Sequence, residues 1–167
     1  VLHHMSDPMT GWQILTDCLK PRGLMKIGLY SKFARRNVFK ARNLISKVGL
    51  LNTHADIISF REKILNSNDP IFTKVKYSTD FFSTSTLRDL LFHVQEYQFT
   101  IPDIESSLEK LGLIFAGFEF DNRNIINKFR QSYSESQALH SLDCWHEFEL
   151  KNPDIFKSMY QFWVQKI

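Results

Sequence analysis

The hydrophobic and polar positions along the 167-residue chain follow a helical period in some segments and a strand-like period in others. Apolar side chains recur at helical spacing after Asp7-Pro8, which can begin a helix because aspartate caps free amide groups and proline fits the first turn. Lys20-Pro-Arg-Gly23 ends this pattern, and the apolar run 24–30 then predicts a short buried strand. A helix, a tight turn and a strand in this order are typical of an α/β fold.

Helical and strand-like spacings continue through the rest of the chain. The apolar positions predict helices at 32–48, 53–66, about 84–94, 100–111, 122–129 and 142–150, and a short one that begins at 152–154. Residues 66–70 predict a loop, and strands are predicted at 113–120 and 159–165. Gly49 and Gly112 are expected to end helices, because glycine readily adopts the left-handed conformation at a helix C-terminus.

The composition is that of an ordinary soluble chain with one moderate core, since 43% of the residues are hydrophobic and 23% are charged. Cys18 and Cys144 lie far apart in sequence and form no Cys-x-x-Cys pair, which favours a reduced, intracellular protein. No apolar run approaches the roughly 20 residues that a membrane helix needs. A secretory signal pattern is also absent. The expected location is therefore cytoplasmic.

Residues 32–47 form a strongly basic segment. They include six lysines and arginines and no acid, a formal charge of +6, whereas the whole chain carries +3. Such a segment attracts phosphate or an acidic partner. The solvated face of an outer helix is the simpler interpretation, and the sequence contains none of the motifs of nucleic-acid-binding modules. Nucleic acid is therefore not an expected partner.

Two short motifs near the start of the chain carry a family resemblance. Val1-Leu-His-His-Met-Ser-Asp-Pro8 and Leu19-Lys-Pro-Arg-Gly23 resemble the motifs that follow the cofactor site of class I S-adenosylmethionine-dependent methyltransferases. In that family an apolar-apolar-His-His stretch follows the fourth strand, and a Pro-Gly-Gly turn, here Pro-Arg-Gly, leads into the fifth. Residues 97–115 and 160–166 are similar to the family's penultimate helix and its last two strands. The likeness is closest to a bacterial group in which the methyltransferase domain can be fused to tetratricopeptide repeats.

The resemblance implies an α/β fold that is the C-terminal half of a Rossmann-like methyltransferase sheet, with about three strands and a helical insertion. Residues 1–167 would then form one partial domain. Its parts would be the central motif and fifth strand (1–31), a helical insertion that covers the acceptor (32–96), and the last helices and strands (97–167). The final strand is expected to be antiparallel, as it is in the family.

The resemblance also implies transfer of the methyl group of S-adenosylmethionine to an unidentified acceptor. The glycine-rich turn that lets backbone approach such a cofactor is missing, since the six glycines include no Gly-x-Gly pair. The chain begins with Val1 rather than methionine, so we expect a fragment that lacks the cofactor-binding half and is inactive alone. The residues expected to border the cofactor are Val1, Leu2 and His3. An exposed sheet edge is expected to make the fragment self-associate.

His3 and His4 are the candidate catalytic residues, because histidine titrates near neutrality and can take a proton from an acceptor. The alternative is that they form a hydrogen-bonding pocket wall without a catalytic function. On an extended segment, adjacent side chains point in opposite directions, so only one of the two would face the acceptor. The candidate acceptor-binding residues are Tyr30, Arg35, His93, Gln95, Glu96 and Tyr97.

The chain also contains a possible set of metal ligands and a basic segment that could serve binding alone. His140, Cys144 and His146 lie within seven residues. A zinc site needs a fourth ligand and usually paired spacing, so no metal is expected. The main alternative function is a non-catalytic module that binds a protein or an anionic partner through the basic segment 32–47.

Overall fold

The chain folds into two compact units. A computed structural model describes residues 1–92, 96–157 and 159–167, except for the side chain of Lys74. One unit, here called the sheet unit, contains residues 1–34 and 96–167, and the other, the helical unit, contains residues 35–95. Within the described ranges, no helix is long and apolar enough to cross a membrane.

The strands of the described residues all belong to the sheet unit. Its elements are a 3-10 helix at Leu2–His4, α1 (Pro8–Asp17), β1 (Leu24–Tyr30), α6 (Ile101–Leu111), β2 (Leu113–Phe118), α7 (Arg123–Ser132), a 3-10 helix at Ser136–His140, α8 (Leu142–Lys151) and β3 (Met159–Lys166). The helical unit contains α2 (Arg36–Lys47), α3 (His54–Asn66), α4 (Pro70–Lys76), a 3-10 helix at Thr79–Phe81 and α5 (Thr84–Leu91).

The sheet has three strands in the order β1-β3-β2, and β3 is antiparallel to both neighbours. The pairing of β1 with β3 runs from Leu24 opposite Gln165 to Tyr30 opposite Met159. β1 and β2 are therefore parallel to each other, and their carboxyl ends lie at the edge where β3 begins. This arrangement confirms the predicted α/β class, the three strands and the antiparallel final strand.

Local sequence signals begin and end the helices of the sheet unit. The Asp7 side chain accepts hydrogen bonds from the amides of Met9 and Thr10, so it caps α1 as the sequence predicts. Thr100 and Asp103 cap α6 reciprocally, each side chain accepting from the other residue's amide. Gly112 ends α6 with φ of 63°, in the left-handed region where glycine is least strained.

Each unit has its own hydrophobic core. In the sheet unit the buried face of the sheet joins an aromatic cluster in which Phe129 stacks on Trp145 with ring centroids 3.8 Å apart. In the helical unit, Phe60 makes edge-to-face contacts with Phe72 and Phe92 at 6.0 and 6.2 Å. Aromatic pairs of this kind contribute about 0.5–1.5 kcal/mol each beyond their buried area. Much of the heavy aromatic content therefore serves packing.

The turn before β1 holds a non-glycine residue in a conformation that favours glycine. Arg22 has φ of 63°, and the amide of Gly23 donates to the carbonyl of Lys20 at 2.8 Å. A turn with proline at its second position and a left-handed third position normally has glycine at the third. The Arg22 amide donates to the Lys166 carbonyl at 3.0 Å, and Gln165 Nε2 donates to the Arg22 carbonyl at 3.1 Å. These bonds to β3 hold arginine where the resembling family has glycine.

The helix predicted from residue 32 begins only at Arg36. The amide of Ala34 donates to Ser31 Oγ at 3.1 Å, and the amide of Lys32 donates to the Phe99 carbonyl at 2.9 Å. Those amides are therefore used in a turn and in a contact with a distant segment. The spacing of apolar residues does not indicate that these amides bond to groups outside a helix.

Two further expectations were wrong. Residues 153–157 form turns rather than a helix that begins at 152–154, and Lys157, with φ of 49°, lies in the left-handed region just before β3. Residues 70–76 form α4, which the sequence reading did not anticipate. Asp69 caps this helix by accepting from the Ile71 amide, and Pro70 occupies its first turn, so the loop signal was also a helix start.

A buried carboxyl group joins β1, β3 and α8. Ser31 Oγ donates to Glu149 Oε1 at 3.0 Å, and the Tyr160 hydroxyl lies 2.9 Å from both carboxyl oxygens. All three residues have no exposed surface. Burial raises the pKa of Glu149 to about 7, although its hydrogen bonds with Tyr160 and Ser31 act in the opposite direction.

We expect Glu149 to make the chain less stable as the pH rises. Its folded-state pKa lies above the ordinary value of 4.5, so the unfolded chain ionises first. The stabilisation from this group is fully present below pH 4.5 and is lost as the pH rises through about 7. The lost free energy of unfolding is on the order of 3 kcal/mol. Between pH 5 and pH 8, the free energy of unfolding measured with urea should fall less for Glu149→Gln than for the unchanged chain. Glu109→Gln, at an exposed position of α6, is the control, and equal losses in all three proteins would contradict the expectation.

Candidate functional site

His3, His4 and Tyr30 form a cluster of rings at the carboxyl end of β1. The ring centroid of Tyr30 lies 3.9 Å from that of His3 and 5.6 Å from that of His4, and the two histidine rings are 4.5 Å apart. The structure thus brings together three residues that the sequence predicted separately as catalytic or acceptor-binding.

The backbone of the histidine pair differs from the expectation. Residues 2–4 form a 3-10 helix in which the His4 amide donates to the Val1 carbonyl at 3.0 Å, rather than an extended segment. The side chain of Leu2 is buried in the core of the sheet unit and anchors this turn. Because the segment is wound, both rings reach Tyr30, and the prediction that the two point in opposite directions was wrong.

His3 is held as a neutral imidazole. Its side chain is 4% exposed, and Nδ1 lies 3.3 Å from the Gly28 carbonyl. Burial, with a smaller effect of the neighbouring His4, lowers the pKa of His3 to about 4. A carbonyl can only accept, so the proton resides on Nδ1, and Nε2 keeps the lone pair with which a neutral histidine accepts a hydrogen bond.

Residues 96–99 run along the end of β1 and place two further candidates beside the histidines. The Tyr97 amide donates to the His3 carbonyl at 2.8 Å, and the Tyr97 hydroxyl donates to the Ser6 carbonyl at 2.9 Å. Glu96 is close enough for its charge to raise the pKa of His3 slightly against the larger effect of burial. Hydrogen bonds of Phe99 with Tyr30 and Lys32 hold this segment in place.

The remaining sequence candidates are distributed differently. Arg35 is buried and belongs to the helical unit, and its assignment to acceptor binding stays a prediction. His93 and Gln95 lie outside the described residues. Val1 is 91% exposed and Leu2 is 6% exposed. The assignment of Val1, Leu2 and His3 to cofactor binding stays a prediction.

Two adjoining cavities lie in the region where β2 ends and β3 begins, and the sequence reading missed them. One, of about 430 Å³, has a mixed lining in which apolar side chains such as Ile125 and Ile155 accompany Asn122, Asn124, Lys128 and Asn152. The other, of about 230 Å³, is lined in part by Glu119 and Met159, and both share Lys157. The available signal was the recurrence of asparagine and lysine in the two connections that flank the predicted strands.

Of the His140, Cys144 and His146 set, His140 ends the 3-10 helix before α8, and the other two lie on α8. Trp145 Nε1 donates to the Leu139 carbonyl at 3.0 Å, and the ring of His146 lies 6.5 Å from that of Phe33. Among the residues that the structure describes, no group of three or more His, Cys, Asp or Glu side chains could hold a metal ion.

Comparison with known proteins identifies relatives of the fold. No protein-family model matches the chain. An uncharacterized protein of Synechococcus sp. is 24% identical over 169 residues, which cover 93% of this chain and 40% of that protein. Two structures of PKMT2 from Rickettsia typhi, one in complex with AdoHcy, match 98% of this chain and 33% of PKMT2, with a TM-score of 0.62 and 12% identity.

The chain has a methyltransferase-like fold. Its α/β architecture with a three-stranded antiparallel sheet matches part of a methyltransferase domain, as the sequence resemblance implied. The chain spans 40% of the Synechococcus relative and 33% of PKMT2. At 12% identity this likeness concerns the fold, and the histidine cluster has to be judged by its own geometry.

We expect the imidazole of His3 to titrate with a midpoint of about pH 4, because burial opposes its charged form. The chemical shifts of its ring C–H protons report this titration. A proton NMR titration of the chain measures this, and the resonance of His3 is the one that disappears in His3→Gln. His54→Gln, on α3 of the helical unit, is the matched control for assignment. A His3 midpoint near the ordinary value of 6.5 would show that the ring is not buried as described.

Proposed function

We propose that this chain is the acceptor-side part of a methyltransferase that uses S-adenosylmethionine as methyl donor. The observation that carries the proposal is the cluster of His3, His4 and Tyr30 at the carboxyl end of β1 in a methyltransferase-like fold. In open α/β sheets, ligands bind outside the carboxyl ends of the strands. The complex of PKMT2 with AdoHcy, which S-adenosylmethionine becomes when it gives up its methyl group, supports this donor.

In the proposed reaction, an acceptor atom attacks the methyl carbon of the donor, and the bond between that carbon and the sulfonium sulfur breaks. The sulfur leaves as a neutral thioether, and the acceptor loses a proton to a base. Holding donor and acceptor in line accounts for most of the rate enhancement in such a substitution. The part assigned to this chain is to orient the acceptor and receive its proton.

The two histidines differ in the roles that they can play. Because burial lowers its pKa, His3 is a weak base, and its Nε2 lone pair is better suited to accept a hydrogen bond from the acceptor. We therefore assign His3 to orientation of the acceptor and His4 to proton removal. Tyr30, which contacts both rings, and Tyr97, which is 43% exposed, are the proposed acceptor-binding residues, together with Glu96.

The donor-binding half is proposed to lie elsewhere in a longer protein. The six glycines of this chain include no Gly-x-Gly pair, so this chain does not supply the close backbone approach that a nucleotide-like donor needs. Val1, Leu2 and His3 are the proposed border with that half. The helical unit, including Arg35, and the segment that carries His93 and Gln95 are proposed to cover the acceptor.

Isothermal titration calorimetry with S-adenosylmethionine tests the proposal. We expect binding by a protein extended upstream in the gene and no measurable heat of binding for residues 1–167 alone, because this chain lacks the glycine-rich turn. AdoHcy is the second ligand and should bind the same extended protein. If the extended protein binds neither compound, methyl transfer loses its basis and the non-catalytic binding module replaces it.

The histidine assignment has its own test in the extended protein. Transfer of labelled methyl groups from S-adenosylmethionine to the components of a cell lysate should fall about 100-fold in His4→Ala, the usual loss when a general base is removed. The affinity for S-adenosylmethionine should stay unchanged. His54→Ala, on α3, should leave both quantities unchanged. Full transfer activity in His4→Ala would exclude His4 as the base.

A further inference from the structure

We propose that the outer face of α2 docks an acidic segment of a partner protein. This inference goes beyond the proposed methyl transfer and does not depend on it. The outer face consists of Phe39, Lys40, Asn43 and Lys47 on the helix, followed by Val48 and Leu51. All six residues are exposed.

The geometry of α2 separates this face from the one that holds the helix in place. Ala41 and Ile45 are buried in the core of the helical unit, where they pack with residues of α3, α4 and α5. Residues 40, 43 and 47 recur at spacings of three and four, so they share the opposite side of the helix. Lys40 and Lys47 are two turns apart, a separation of about 10 Å along the axis.

The charge on this helix is unbalanced. α2 contains four lysines and arginines and no acid, and no aspartate or glutamate occurs between Asp17 and Asp56. The helical unit as a whole has ten basic and five acidic residues, a net charge of +5. Arg42 donates to the carbonyls of Asp89 and Leu90 at 2.7–3.3 Å and so has a structural role. Lys40 and Lys47 make no ion pair with any described carboxylate.

Of the charges on this helix, only Lys47 lies where a cation stabilises a helix, in the last turn. Arg36 and Lys40 are four residues apart with the same sign, and the first turn contains no acid to complement the helix dipole. Each unfavourable arrangement costs a few tenths of a kcal/mol in an isolated helix. Helix stability therefore accounts for Lys47 but not for Lys40, whose exposed charge an acidic partner would complement.

Exposed apolar side chains accompany the lysines. Phe39 is 52% exposed, Val48 47% and Leu51 68%. Single exposed apolar residues are common, but these three lie on or directly after one short helix that also carries the exposed lysines. Aromatic anchors surrounded by charged groups are typical of protein–protein interfaces.

The same features favour a protein over the other anionic partners. Val48 and Leu51 have no counterpart on a phosphate backbone, whereas apolar residues within an acidic polypeptide can pack against them. An interfacial membrane helix inserts its apolar face, but the apolar face of α2 is buried in the unit's own core. Charge complementarity together with apolar contact therefore indicates an acidic polypeptide segment that contains apolar residues.

Fluorescence anisotropy with a labelled short peptide of alternating glutamate and leucine tests the docking face on the full chain. Lys40→Glu/Lys47→Glu should weaken binding at least about tenfold, because two attractions become repulsions. Lys63→Glu/Lys110→Glu makes the same change of net charge at exposed positions of α3 and α6 and should have a much smaller effect. Phe39→Ser should weaken binding even at high salt, where charge contacts are screened. Circular dichroism checks that each variant is folded.

Several outcomes would overturn the proposal. The first is that the peptide does not bind at all, and the second is that both double variants lose the same affinity for it. The third is that a peptide with glutamine in place of glutamate binds equally well. Tighter binding to oligouridylate, or to phosphatidylserine vesicles, through the same lysines would assign the face to another class of partner. No step of this assay uses S-adenosylmethionine. Peptide binding without donor binding by the extended protein would therefore refute methyl transfer while the docking face stands.

Discussion

The position of β3 between β1 and β2 is the constraint on which the sheet unit depends. β3 is the last strand in the chain but the central one in the sheet, and each outer strand is held in the sheet by antiparallel bonds to it. Its side chains Tyr160, Phe162 and Val164 are fully buried, so strand pairing and core formation depend on each other. Contacts as distant as that of Leu24 with Gln165 are stabilising only once the entropy of closing the intervening chain is offset by the rest of the core.

The same pairing determines which residues meet at the carboxyl ends of β1 and β2. Because β1 and β2 are parallel, the residues that follow both strands lie toward one edge of the sheet, together with the start of β3. Glu149 joins Ser31 to Tyr160 at this edge, which holds the end of β1 in a defined position. The contact of His3 with Tyr30 therefore rests on a buried hydrogen-bond network and not on the short N-terminal segment alone.

The two units differ in charge as well as in architecture. The sheet unit has eleven basic and thirteen acidic residues, a net charge of −2, against +5 for the helical unit. The buried, neutral His3 belongs to the first, and the exposed lysines of α2 belong to the second. The proposed acceptor site and the proposed docking face thus lie in different units, one with a desolvated histidine and the other with exposed positive charge.

The sequence by itself determined the features that depend on neighbours within a few residues. Examples are the cap at Asp7 and the reciprocal cap of Thr100 and Asp103, whose hydrogen bonds join residues close in sequence. Another is β1, whose side-chain alternation is a local property of the chain. The basic character of 32–47 was equally evident, but which of its lysines are exposed was not. Only the tertiary structure decided that His3 and His4 share one side, that Glu149 lies buried between two strands, and that Asn122 and Asn152 line one cavity. Those features depend on contacts between residues remote in sequence, and neither spacing nor composition encodes which remote residues will meet.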